Sequence, residues 1–177
     1  EQVADGTASV DDAMLRIKEG PLQSYKDMGF ARPDLHRGLR QGVPEVIYGA
    51  GKTPQQIADI SAALLENGQR TVIITRMNRE AAEFAGASLR ERFGLSAAGA
   101  EESGKWAAEA YGQNVFAYDE LSGIGIAGEM PPPSDVGNIV VATAGTSDMP
   151  VAEEAAKTAE ALGNRVTRLY DVGVAGI

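Results

Sequence analysis

The sequence contains no cysteine and a single histidine, His36. Without cysteine these residues form no disulfide, no thiolate metal site and no cysteine nucleophile. One histidine beside arginines does not make a metal site either. Positive charge is scarce: 16 lysines and arginines stand against 25 aspartates and glutamates, for a net charge of −9. That balance argues against nucleic acid as a partner, since a duplex-binding surface needs a dense cationic face. A small anionic ligand held by one local loop remains compatible with it. No apolar run approaches the ~20 residues that span a bilayer, so no membrane segment is expected. The first residues, EQVADGTASV, lack the pattern of a signal peptide. They also lack an initiator methionine, so the start reads as processed or trimmed. The chain reads as a soluble cytoplasmic protein.

What is present is enough for a core. Hydrophobic residues make up 44% of the 177 positions, sufficient for one medium domain or two small ones. Ser9 suits the cap of a short helix over Val10–Glu19, ended by Gly20-Pro21. Tyr25–Gly42 is irregular and polar and brings Asp34, His36, Arg37 and Arg40 close together in sequence. That group is either an anion-binding arm or a solvated connection whose charges pair locally. Glu45–Tyr48 reads as a short strand. Thr53, Pro54 and Gln56 then form a capping box at the start of a helix whose apolar face is Ile57, Ile60, Leu64 and Leu65, with Gly68 as its stop. Thr71–Thr75 reads as a buried strand. Asn78 caps a helix over Arg79–Phe93, with Ala82, Phe84, Leu89 and Phe93 as core candidates. Leu95–Gly112 is weakly patterned, and Trp106 within it reads as a packing anchor. Asn114–Tyr118 reads as a strand, and Ser122–Gly128 as a flexible segment or tight turn. Pro131–Pro133 reads as an extended linker and a domain boundary. Ile139–Thr143, a small-residue loop, an Ala-rich helix from Pro150 and a strand over Arg165–Tyr170 make a βαβ unit.

Three loops carry candidate chemistry. GAGKT (Gly49–Thr53) invites a phosphate-loop reading, but the first glycine of that motif would fall at Val46. Thr53 is also accounted for as a cap. Lys52 is then either an anion contact near a helix start or a solvent lysine on a capped turn. ATAGTSD is the better candidate. Gly145 permits close approach to backbone, Thr146 and Ser147 supply hydroxyls, and Asp148 can accept from ribose or transfer a proton. The alternative is that Ser147 or Asp148 merely caps the helix. Glu153 and Glu154 are expected in the first turn, facing solvent. Asp171-Val172-Gly173 follows the second strand. If the two strands are parallel neighbours, Asp148 and Asp171 flank one crevice at the carboxyl edge of the sheet, where open α/β sheets bind ligands.

The segments VVATAGTSDMPVAEEAAKTAEALG and LYDVGVAGI resemble the PurE-like domain of the LarB family, the carboxylase/hydrolases of nickel-pincer cofactor biosynthesis. FARPDLHRGLRQGVPEVIYGAGKTPQQI resembles the N-terminal region of the same family. The resemblance implies that nicotinic acid adenine dinucleotide is carboxylated at C5 of its pyridinium ring, with CO2 or bicarbonate as co-substrate. Cleavage of the phosphoanhydride then releases AMP. It implies Mg2+ as an associated ion, no organic cofactor, and self-association into a homo-oligomer. By similarity to aminoimidazole ribonucleotide carboxylases, Ser147 and Asp148 hold the phosphoribosyl part of the substrate, and Asp171 and Gly173 lie in the neighbouring loop. The family also marks Asp34, Arg37, Arg40, Glu45, Lys52 and Thr53. Of these, Arg37, Arg40 and Lys52 are candidates for the dinucleotide phosphates.

The resemblance further implies a region beyond GVAGI that carries a catalytic cysteine. The chain is therefore expected to be a truncated portion, inactive by itself. The expected fold is α/β. A small N-terminal α/β domain occupies residues 1–133, with an arm over 1–44, the α/β layer over 45–130 and the linker over 131–133. The first βαβ unit of a flavodoxin-like, three-layer parallel-sheet domain follows over 134–177. Two other functions stay open: a noncatalytic nucleotide-binding or oligomerisation fragment, and a PurE-like enzyme acting on an aminoimidazole ribonucleotide. The PEVIYGAGKT region disfavours the latter, since ordinary enzymes of that kind lack it.

Overall fold

Thr71–Thr75 is apolar on both sides, and a strand of that kind is stable only when both faces are covered. In the computed structural model, which describes residues 7, 9–11, 25–35, 37, 43–93 and 115–173, it is an inner strand of a four-stranded sheet. The strands are β1 (Val46–Tyr48), β2 (Thr71–Thr75), β3 (Phe116–Asp119) and β4 (Ile124–Gly128), in the order β1-β2-β4-β3. β1 runs parallel to β2, whereas β4 is antiparallel to both β2 and β3. Helices α1 (Pro54–Glu66) and α2 (Arg79–Arg92) pack on one face. There Ile57, Leu64, Val72, Ile74 and Leu89 form a core at 1% exposure or less. Each such side chain contributes roughly 1.5–3 kcal/mol through burial.

The start of α1 follows from its sequence. Thr53 Oγ1 accepts from Gln56 N–H at 3.2 Å, and Gln56 Oε1 accepts from Thr53 N–H at 3.0 Å. Gly68, at φ 87°, supplies the left-handed residue after the helix. Asn78 caps α2 by accepting from Ala81 N–H at 2.8 Å. Two expectations need correction. Phe84 is exposed, because the buried stripe of α2 runs through Ala81, Ala82, Ala85 and Leu89 and leaves position 84 to one side. The segment Ser122–Gly128 is neither flexible nor a turn beyond Gly123, since Ile124–Gly128 is the second inner strand. Its glycines answer to close packing. A Cβ at Gly125 would stand 2.7 Å from Met77 Sδ, and one at Gly128 would overlap the Arg70 carbonyl.

The βαβ unit forms as its sequence implies. β5 (Ile139–Ala142) and β6 (Val166–Leu169) pair in parallel, with α3 (Met149–Ala161) between them in sequence. α3 also covers the second face of the first sheet, where Ile73, Ile124 and Ile126 meet Ala161 and Met130. The linker is docked there: Gly163 lies against Pro131, and its carbonyl accepts from Ser134 N–H at 2.8 Å. The start of α3 lies near Arg76, just past β2, through the Arg76–Glu154 pair. Its end lies near Pro131, just past β4. α3 is therefore antiparallel to β2 as well as to β5, and the carboxyl ends of β1, β2, β5 and β6 share one edge. Strand alternation places Val140, Ala142, Thr167 and Leu169 on the side of β5–β6 away from α3, and all four are exposed.

The helix expected over Val10–Glu19 lies largely outside the described residues, as do Leu95–Gly112, Trp106 and His36. Among the described residues no helix is long and apolar enough to cross a membrane.

Candidate functional site

Thr143 ties the two loops of the βαβ unit together. It is buried at the carboxyl end of β5, and its N–H donates to Leu169 O at 3.0 Å. Its carbonyl accepts from Val172 N–H at 3.0 Å. Its hydroxyl oxygen accepts from Asp171 N–H at 3.1 Å. Gly173 then abuts the Ala144 carbonyl so closely that a Cβ would overlap it. The segments Ala144–Asp148 and Asp171–Gly173 thus make one continuous wall, and Asp148 and Asp171 both stand exposed along it. Asp171 holds a left-handed backbone at φ 57°, a conformation uncommon outside glycine but one that aspartate tolerates better than most side chains.

Gly145 has open space where a Cβ would be, so a ligand can approach this backbone. Thr146, Ser147 and Asp148 form a short 3-10 turn and are exposed. Asp148 Oδ2 accepts from Gly145 N–H at 3.3 Å, which orients its carboxylate back over the loop. No side chain caps α3, in contrast to Thr53 on α1 and Asn78 on α2. The wall therefore offers hydroxyls, backbone donors and two carboxylates to a polar ligand.

Behind it lies an ionic cluster that overturns the expectation of solvent-facing glutamates. Arg168 on β6 donates to Glu153 Oε1 at 2.9 Å and to Glu160 Oε1 at 2.5 Å. The Tyr170 hydroxyl donates to Glu153 Oε1 at 2.9 Å. Glu154 pairs with Arg76 at 3.2 Å. Both carboxylates turn toward neighbouring strands because each finds a guanidinium there. The hydrogen bond to Glu160, and then that to Glu153, hold Arg168 more firmly protonated than a free arginine. Burial, reinforced by Glu153, pushes the Tyr170 hydroxyl pKa up. Lys157 is buried in the same helix, and that burial lowers its pKa against the pull of Asp119, Glu160 and Glu153.

The cationic candidates separate. Lys52 lies past the carboxyl end of β1 and donates to Tyr48 O at 2.8 Å. Arg37 stands 3.6 Å from Glu45, at the amino end of β1 and so at the opposite edge of the sheet. Burial raises the Glu45 pKa, with Arg37 opposing the shift. Arg40 lies outside the described residues. No group of three or more metal-ligating side chains occurs among the described residues.

Sequence reasoning did not single out Thr143, Arg168 or Lys157. A β-branched hydroxyl ending an apolar strand was a usable signal for Thr143. An arginine inside the otherwise apolar VTRLY, opposite glutamates seven apart on a helix, was one for Arg168.

Residues 25–95 match a family model described as the LarB/PurE-like N-terminal domain. An uncharacterized protein of Methanocaldococcus jannaschii is 29% identical over 173 residues. The aligned region takes in 98% of this chain and 59% of that protein, so the chain spans less than two thirds of its relative.

Proposed function

We propose that this chain, LarB/PurE-like over residues 25–95, supplies the nucleotide-holding part of a carboxylase/hydrolase acting on nicotinic acid adenine dinucleotide. The observation that carries the reading is the joined wall of Ala144–Asp148 and Asp171–Gly173, built through Thr143. In this reading Gly145, Thr146 and Ser147 hold the phosphoribosyl part, and Gly173 keeps the two loops close. Asp148 and Asp171 face the pyridinium ring. As a carbon–carbon bond forms between C5 and CO2, C5 loses a proton, and either carboxylate can accept it. Lys52, on the same edge, is proposed for the dinucleotide phosphates together with Arg40, whereas Arg37 stands at the opposite edge beside Glu45. These residues include no cysteine, so the ring activation that the resemblance assigns to one is no step of this chain.

Calorimetry with nicotinic acid adenine dinucleotide, AMP and an aminoimidazole ribonucleotide tests the reading. The dinucleotide should bind, and Asp148→Ala should weaken it about tenfold, or 1.4 kcal/mol. Unchanged binding in that variant would refute the loop assignment. Preference for the aminoimidazole ribonucleotide would move the activity to the PurE-like alternative. A second reading, a noncatalytic association module, draws support from the exposed outer side of β5–β6 with Val140, Ala142 and Leu169. Light scattering that gives a monomer at high micromolar concentration would remove it.

A further inference from the structure

Two described non-glycine residues have left-handed backbone, Asp171 at φ 57° and Arg76 at φ 55°. Each stands just past the carboxyl end of a parallel strand, on the common edge. A left-handed arginine is disfavoured and persists only where its surroundings over-determine it. Here they do: Thr75 O accepts from Gly49 N–H at 2.7 Å, and Met77 N–H donates to Gly123 O at 2.8 Å. The consequence is a side chain directed from the first sheet to α3. Its Nη2 lies 3.2 Å from Glu154 Oε2, and 56% of it remains exposed.

The wall it approaches is short of positive charge. Asp148 and Asp171 line it, and Glu153 and Glu154 lie behind. The described cations of residues 134–173 are committed elsewhere. Arg165 pairs with Asp135 at 3.4 Å, at the amino end of β6. Arg168 is forked onto Glu153 and Glu160, and Lys157 is buried. A phosphate set against Gly145–Asp148 would meet carboxylates without a counter-charge from its own βαβ unit. Glu154 is five residues into α3, about 7.5 Å along its axis from Met149. Its partner Arg76 is thereby placed beside the amino-terminal half of α3, the end that the Gly145–Asp148 loop leads into.

We propose that Arg76 is a phosphate-contacting residue of this site, carried to the βαβ loops by the N-terminal layer and held by Glu154 until a substrate phosphate displaces that carboxylate. The inference rests on the nucleotide reading above. A guanidinium fork fits carboxylate and phosphate alike, so the exchange keeps its hydrogen bonds and gains charge complementarity. It also gives the N-terminal domain a part in substrate recognition.

Four forms of the 177-residue chain test this: wild type, Arg76→Gly, Arg76→Lys and Glu154→Gln. Each is titrated calorimetrically with nicotinic acid adenine dinucleotide, AMP and adenosine, and each is melted. Arg76→Gly removes the guanidinium and relieves the backbone. It should keep or raise Tm, yet bind the dinucleotide and AMP at least tenfold more weakly, with adenosine unaffected. Arg76→Lys should recover part of that loss. Glu154→Gln, which frees Arg76, should tighten dinucleotide binding severalfold. Wild-type binding that all three variants match would overturn the assignment and leave the nucleotide site standing. So would weakening that extends equally to adenosine, or a Glu154→Gln variant that binds more weakly. A wild-type chain that binds none of the three ligands would overturn the nucleotide reading, and this inference with it.

Discussion

The turns Gly49–Thr53 and Ala144–Asp148 have the same plan: a parallel strand, a loop of small residues, then a helix with proline in its first turn. The first is closed upon itself. Gly49 N–H reaches Thr75 O, Lys52 reaches Tyr48 O, and Thr53 completes a capping box. Gly49 is needed because a Cβ there would stand 2.7 Å from that same Thr75 oxygen. The second turn is open. Gly145 faces empty space, no side chain caps α3, and Thr146, Ser147 and Asp148 are exposed. Glycine serves intramolecular contact in one loop and leaves room at the other. A loop whose backbone and cap are already satisfied adds to stability and leaves a ligand only the remaining protons of the Lys52 ammonium. GAGKT only superficially invites a phosphate-loop reading, because the first glycine of that motif falls at Val46.

The contrast can be broken experimentally. The largest effect is expected from Gly173→Ala, whose methyl would overlap the Ala144 carbonyl and force the two loops apart. It should cost ~2–3 kcal/mol in urea unfolding and abolish dinucleotide binding. A variant as stable as wild type would show that the wall is looser than described. Asp148→Ala should divide the two properties, with the tenfold loss of binding already stated and only a few tenths of a kcal/mol in stability, since the side chain is exposed. Thr53→Ala should do the reverse, losing ~1 kcal/mol of stability with its cap while binding holds. If binding fell instead, the Thr53 cap would belong to the site along with Lys52.

The smallest effect concerns the helix behind the open turn. Burial lowers the Lys157 pKa from 10.5, so the unfolded chain binds more protons between the two values. Lys157 therefore contributes its full stability above about pH 10.5 and loses it as pH falls through the lowered value. Melting curves of Lys157→Met should gain on wild type at pH 7 and lose that advantage toward pH 10. A difference independent of pH would mean that the fold does not shift this amine.

Much of this was legible because local signals agreed with the fold. Thr53-Pro54-Gln56 specified the start of α1, TVIIT its neighbouring strand, and the apolar–small–helical–apolar order the parallel β5–β6 pair. The meeting of the loops that follow β5 and β6, at Thr143–Ala144 and Asp171–Gly173, followed from parallel pairing alone. What was not legible depended on distant partners. IGIAG is an inner strand because β2 and β3 flank it and Met77 and Arg70 crowd its glycines, and nothing local says so. Glu153 and Glu154 turn inward because Arg168 and Arg76 wait on other elements. Periodicity could not reveal that α3 has two sheets to cover.

That shared helix has a consequence for how the chain is made. β4 ends at Gly128, but the helix that covers Ile73, Ile124 and Ile126 is complete only at Ala161. At synthesis rates of about 5–20 residues per second, this face of the first sheet stays open for several seconds on the ribosome. During that interval it is a sticky surface on a nascent chain, and a target for whatever chaperone attends translation.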